Sequence, residues 1–188
     1  MKLQSDLYKL CDFPESQGLD LKYRASRDAS SAQNFHTKCD GLSNTLTVIK
    51  TTNGNIFGAF AEQAWTNSTN VLDQKAFIIS LINKQNKPFK AMISSTNPQG
   101  NLNGQYGYYY YALYCESSKG PSFGSNNSNG TVDILIASDS NANQSSSSNF
   151  GYAFKHQDYP AGTAKAQAIL AGSQNFQTTE IEVFTKKD

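Results

Sequence analysis

The chain has 188 residues, of which 38% are hydrophobic, 12% aromatic and 16% charged, with a formal net charge of +1. That length suits one domain, which would bury roughly 70% of its unfolded surface and so needs no disulfide or metal to hold it together. A charge this close to neutral gives no electrostatic footprint for nucleic acid, and no apolar run approaches the roughly 20 residues of a membrane span.

LQSDLYKLC (3–11) places Leu3, Leu7, Leu10 and Cys11 on one helical face, and Pro14 and Gly18 end that helix. Leu19 to Arg24 alternates as a short strand. A second helix is predicted over 31–39, capped by Ser30 or Ser31, with Ala32, Phe35 and Cys39 inward and Gly41 just past its end. The period then changes to two. TLTVIK (45–50) and IFGAF (56–60) are strands around the turn TNGN (52–55), and KAFIISLIN (75–83) is apolar enough for a central strand covered on both faces. PFKAMIS (88–94), GYYYYALYC (107–115), TVDILIAS (131–138) and EIEVF (180–184) complete the predicted strands. PSFGSNNSNG (121–130) reads as a turn-rich insertion, SDSNANQSSSSN (138–149) as a mobile low-complexity surface loop, and AKAQAIL (164–170) as a helical turn. The fold class expected is mainly β: a two-sheet antiparallel β-sandwich with flanking short helices.

Cys11, Cys39 and Cys115 are widely spaced and odd in number. The N-terminus lacks the apolar core of a signal peptide, so the expectation is a cytoplasmic protein with free thiols. Sequons at Asn67 and Asn129 would then stay unmodified.

Residues 23–41, YRASRDASSAQNFHTKCDG, hold the densest chemistry. His36 and Cys39 form an H-x-x-C pair, but a structural zinc needs four ligands, and His156, Cys11 and Cys115 stand alone. Ser26, His36 and Asp28 are triad residue types, with no G-x-S-x-G elbow and no oxyanion loop near them. No metal, cofactor or catalytic set is therefore expected. Arg27 can pair bidentately with Asp28 or Asp40, His36 can join that network, and Arg24 and Arg27 then pin a strand-to-helix junction. Gly58 and Gly124, in FGAF and GPSFG, read as bulges or turns. Trp65 reads as a core anchor. Glu180 and Glu182 share one face of an edge strand.

The order YRASRD, NFHTKCDG, TLTVIKTTNGNIFGAF, a lone Trp, DQKAFIISLIN, GPSFG, DILI, SSSNFGYAF and LAGSQNFQTTEIEVF resembles the TLDc domain family, which includes the oxidation-resistance proteins. The chain looks like a protist-type, single-domain member. The resemblance spans roughly 19–184, leaving 1–18 as an N-terminal helical extension and 185–188 as a polar tail. It implies a structural role for the motif residues Arg24, Ser26, Arg27, Asp28, Phe35, His36, Cys39, Asp40, Gly58, Trp65, Gly124 and Glu182, and no established catalytic constellation. One position departs from the family pattern: Ala29 stands where the family usually has Gly, so a positive φ there would be strained.

The resemblance further implies a non-enzymatic protein-interaction module that binds the cytosolic sector of the vacuolar proton-pumping ATPase, at the vacuolar membrane surface, and is linked to oxidative-stress resistance. The alternatives are a component of a ciliary or cytoskeletal assembly and a thiol-based antioxidant. Neither nucleic acid nor direct membrane insertion is expected. The loops 95–106 and 138–149 are candidate interaction segments only by their length.

Overall fold

The computed structural model describes residues 2–94, 110–126 and 130–187. It contains α1 (Lys2–Cys11), β1 (Leu19–Arg24), α2 (Ala25–Asp28), α3 (Ala32–Cys39), β2 (Thr45–Thr51), β3 (Ile56–Ala61), β4 (Phe77–Ile82) and β5 (Phe89–Met92). There follow β6 (Tyr110–Tyr114), β7 (Ser122–Asn126), β8 (Val132–Leu135), β9 (Ser146–Ser148), α4 (Ala164–Ile169), β10 (Asn175–Phe176) and β11 (Thr178–Lys186).

Two antiparallel sheets form, one ordered β1-β11-β2-β3-β4-β5 and the other β10-β9-β8-β7-β6. The molecule is thus the two-sheet β-sandwich expected, because period-2 strands bury one face each and two such faces close on one another. Ile49, Phe57, Ile78, Ile181 and Val183 of the larger sheet meet Leu113, Phe123, Ile134 and Phe150 in the core between the layers. A second cluster lies on the outer face of the larger sheet, where Tyr8, Cys11 and Phe13 cover Leu46, Phe60, Phe77 and Ile79. That second cluster explains the continuous apolar run of β4, which is buried at five successive positions because it has a core on each side.

Ser31 is the N-cap of α3, its side chain accepting from the Asn34 N–H, and Gly41 follows at φ 81°. Three expectations are corrected. The 121–130 segment contains β7, paired with both β6 and β8. Within 138–149, Ser140, Ser146 and Ser148 are buried and Ser146–Ser148 is a strand. Small hydroxyls can enter a sheet where they bond locally: the Ser146 Oγ accepts from the Ala137 N–H at 3.1 Å, and the Ser140 Oγ lies 2.7 Å from the Thr178 Oγ1. Third, β11 is not an edge strand but lies between β1 and β2. The short helix α2 and the two-residue β10 carry no periodic signal and escape a sequence reading. Residues 95–106 and 107–109 of the expected elements lie outside the described residues.

Candidate functional site

The signature residues build a junction on the outer face of the larger sheet. Arg24 and Glu182 are register partners on β1 and β11, and the Arg24 Nε donates to Glu182 Oε1 at 2.7 Å. The chain then turns into α2, where Asp28 Oδ2 accepts from the Arg24 N–H at 3.0 Å. Arg27 holds the same carboxylate bidentately, with Nε to Oδ1 at 3.0 Å and Nη2 to Oδ2 at 2.7 Å. This guanidinium, helped by the Arg24 N–H, holds the Asp28 carboxyl at about 2, below its ordinary value. Ser26 anchors the same turn to β11: its N–H and its Oγ–H both donate to the Glu180 carboxylate.

Ala29 closes α2 at φ 68° and ψ 153°, a region that favours glycine. Ala29 keeps this positive φ in the folded chain. It is held in place by the Tyr23 Oη–H donating to the Ala29 carbonyl at 2.9 Å and the Asp139 N–H donating to the Ser30 carbonyl at 3.0 Å.

His36 does not join the Arg27–Asp28 pair, as the sequence reading allowed. Helical spacing instead puts Asp40 one turn ahead, 2.8 Å from His36 Nδ1, while Nε2 points at the carbonyls of Glu116 and Lys119 at 3.0 and 3.1 Å. The histidine thereby ties α3 to the segment after β6. Ser26, Asp28 and His36 each have a different partner, so the three triad residue types are not brought together. Cys39 points the other way into the core, so the H-x-x-C pair presents no shared ligand face. Phe35 and Trp65 sit beside Cys39. Their rings meet edge-on at 5.0 Å, Trp65 meets Phe123 at 5.2 Å, and the indole N–H donates to Thr45 Oγ1 at 3.0 Å. Trp65 is the core anchor expected, joining α3 to both sheets.

All three cysteines are buried free thiols. Burial pushes Cys11 and Cys39 up to about 12 and raises Cys115 as well.

The two motif glycines are neither bulges nor turns. Gly58 lies mid-strand opposite Val48, where a Cβ would fall on the Thr47 carbonyl oxygen. Gly124, at φ 72°, leaves room for Asp133, whose Cβ would stand 2.8 Å from an added methyl. Asp133 was legible only as part of the strand DILI. It is fully buried and accepts from the N–H groups of Tyr152 at 3.0 Å, Ala153 at 3.0 Å and Phe154 at 2.7 Å. It therefore fastens the 150–154 segment to β8. Burial pushes its carboxyl up to about 7, against the pull of those three donors.

A cleft of about 630 Å³ opens beside the Arg24–Glu182 junction, between α1 and the outer face of the larger sheet. Its floor is Val48, Ile56, Leu81 and Phe184, its wall Leu3 and Leu7, and its rim Glu15, Lys50 and Glu180. Nothing in the sequence marks it, because its apolar residues come from six separate elements at ordinary strand and helix spacing.

The geometry defines a class: a β-sandwich whose signature residues make contacts within the fold and border a mostly apolar groove. The TLDc domain model matches residues 2–187, and the chain belongs to the TLDc domain family. A search of curated proteins finds no match. At family level, TLDc domains are protein-interaction modules associated with oxidation resistance and with regulation of the vacuolar ATPase.

Proposed function

We propose that this chain is a non-enzymatic regulatory module that binds the cytosolic sector of the vacuolar proton-pumping ATPase, at the cytoplasmic surface of the vacuolar membrane, and supports resistance to oxidative stress. The observation that carries this reading is the family match over nearly the whole chain, 2–187. Two features of the molecule agree with it. The polar signature residues are used in ion pairs and turn bonds within the fold, and the outer sheet face keeps a groove with a partly exposed apolar lining. Direct thiol chemistry is disfavoured by the burial of all three cysteines, since the thiolate is the reactive form.

The test is gentle affinity purification of the tagged chain from its native cells, with quantitative mass spectrometry of membrane and cytoskeletal fractions. Recovery of catalytic-sector subunits of the vacuolar ATPase is the expected result. Recovery of tubulin and axonemal proteins at fixed stoichiometry, without the pump, would replace this reading with the scaffold one.

A further inference from the structure

The two edges of the larger sheet are finished differently. At one, the end of β5 is covered by the 153–155 segment: the Ser94 N–H donates to the Ala153 carbonyl at 2.8 Å and the Lys155 N–H to the Met92 carbonyl at 3.1 Å. At the other, β1 has β11 on one side and, among the described residues, no strand on the other. Backbone N–H and C=O groups left open in this way are a template for another strand.

The ladder fixes which β1 groups face the open side. The Lys187 N–H donates to the Gly18 carbonyl, and Leu19 and Asp20 stand opposite Lys186 and Thr185. The alternation of an antiparallel pair therefore turns the backbone groups of Asp20 toward β11 and those of Leu19 and Leu21 outward. The register then slips between Leu21 and Tyr23. At that bulge two groups leave the ladder: the Lys22 carbonyl accepts from Arg27 Nη2 at 3.2 Å, and the Arg24 N–H donates to Asp28 Oδ2 at 3.0 Å. Arg27 Nε and Nη2 in turn hold both oxygens of the Asp28 carboxylate. One ion pair thus offers β1 a donor and an acceptor, as a residue of a seventh strand would. Capping of α2 does not account for this. A cap needs only Asp28 on the Arg24 N–H, whereas the Lys22 carbonyl precedes the helix.

The strand kept out is β1 of a second copy, because its charges are self-complementary. Asp20 and Lys22 flank Leu21 and lie 2.6 Å apart within one chain. Two β1 strands laid antiparallel about Leu21 set each Asp20 opposite the other copy's Lys22, with the outward groups of the two Leu21 residues meeting between them.

We propose that the Arg27–Asp28 pair is an edge lock: it closes β1 against antiparallel pairing with β1 of a second copy and keeps the chain monomeric. The lock acts whichever partner the module binds.

The test is sedimentation velocity of the full chain over a concentration series, for wild type and Arg27→Ala, with near-UV circular dichroism to check folding. Wild type is expected to stay monomeric, and Arg27→Ala to self-associate roughly tenfold more tightly or better. Arg27→Lys keeps the charge but lacks the fork that reaches both Asp28 and the Lys22 carbonyl. It should associate too, and it carries the test if Arg27→Ala does not fold. Two second substitutions in the Arg27→Ala chain should each restore the monomer. Leu21→Pro removes an outward N–H that β11 does not use. Lys22→Glu sets like charges opposite each other. A folded Arg27→Ala chain as monomeric as wild type would overturn the proposal. So would association that survives either second substitution. A wild-type dimer that Leu21→Pro dissociates would overturn it as well, since the edge would then be open with the pair in place.

Discussion

Arg24 and Glu182 face each other across two neighbouring strands, and both Nε and Nη2 of the arginine reach the same glutamate oxygen, at 2.7 and 2.6 Å. They are separated by 158 positions in the chain, so this contact joins the first strand to the last. Both side chains are partly exposed, at 43% and 25%, so solvent screens the pair. A double-mutant cycle of Arg24→Ala and Glu182→Gln should give a coupling of about 0.5–1 kcal/mol in urea unfolding. Additive losses would mean that the pair contributes nothing beyond its separate packing.

Ala29 holds a backbone conformation in which its Cβ is strained, at about 1–3 kcal/mol for such a residue. Ala29→Gly removes that strain but adds unfolded-state entropy of about 0.5–1 kcal/mol. The net expectation is a gain of about 1 kcal/mol, read as a rise in Tm of ~3 °C for a domain of this size. A lower Tm would show that the turn relaxes around the alanine.

Two carboxylates shape the stability–pH curve with opposite signs. Asp28 is depressed from 3.8 to about 2 on folding, so its contribution is present above 3.8 and is lost as pH falls through about 2. Asp133 is raised from 3.8 to about 7, so its contribution is present below 3.8 and is lost as pH rises through about 7. Their sum peaks near 3.8, with a descending limb on the order of a few kcal/mol between there and neutral pH. Urea unfolding of wild type and Asp133→Asn across pH 2–8 should show that limb only in wild type. The variant should also lose about 1–3 kcal/mol at acidic pH, since an amide turned onto backbone N–H groups leaves donors unpaired.

Burial of Cys11, Cys39 and Cys115 predicts that Ellman's reagent finds no reactive thiol in the native state and three after denaturation. A thiol that reacts in the folded chain at the rate of a free cysteine would revive the antioxidant reading.

The strands around TLTVIK and IFGAF, a helix over 31–39 capped by Ser30 or Ser31, and the sandwich class were all legible in the sequence. Each of these rests on a local rule: side-chain period, capping chemistry or turn composition, all acting within a few residues. Ala29 was marked only by the resemblance, because the family usually has Gly at that position. Long-range packing alone makes Ser146–Ser148 a buried strand, places β11 in the sheet interior, lets Gly124 make room for Asp133, and brings the Glu116 and Lys119 carbonyls to His36 Nε2. The groove belongs to the same group, since Leu3, Val48, Ile56 and Phe184 acquire a common surface only when α1, β2, β3 and β11 pack. Such features depend on which partners the chain brings from far away, and hydrophobic period carries no record of that choice.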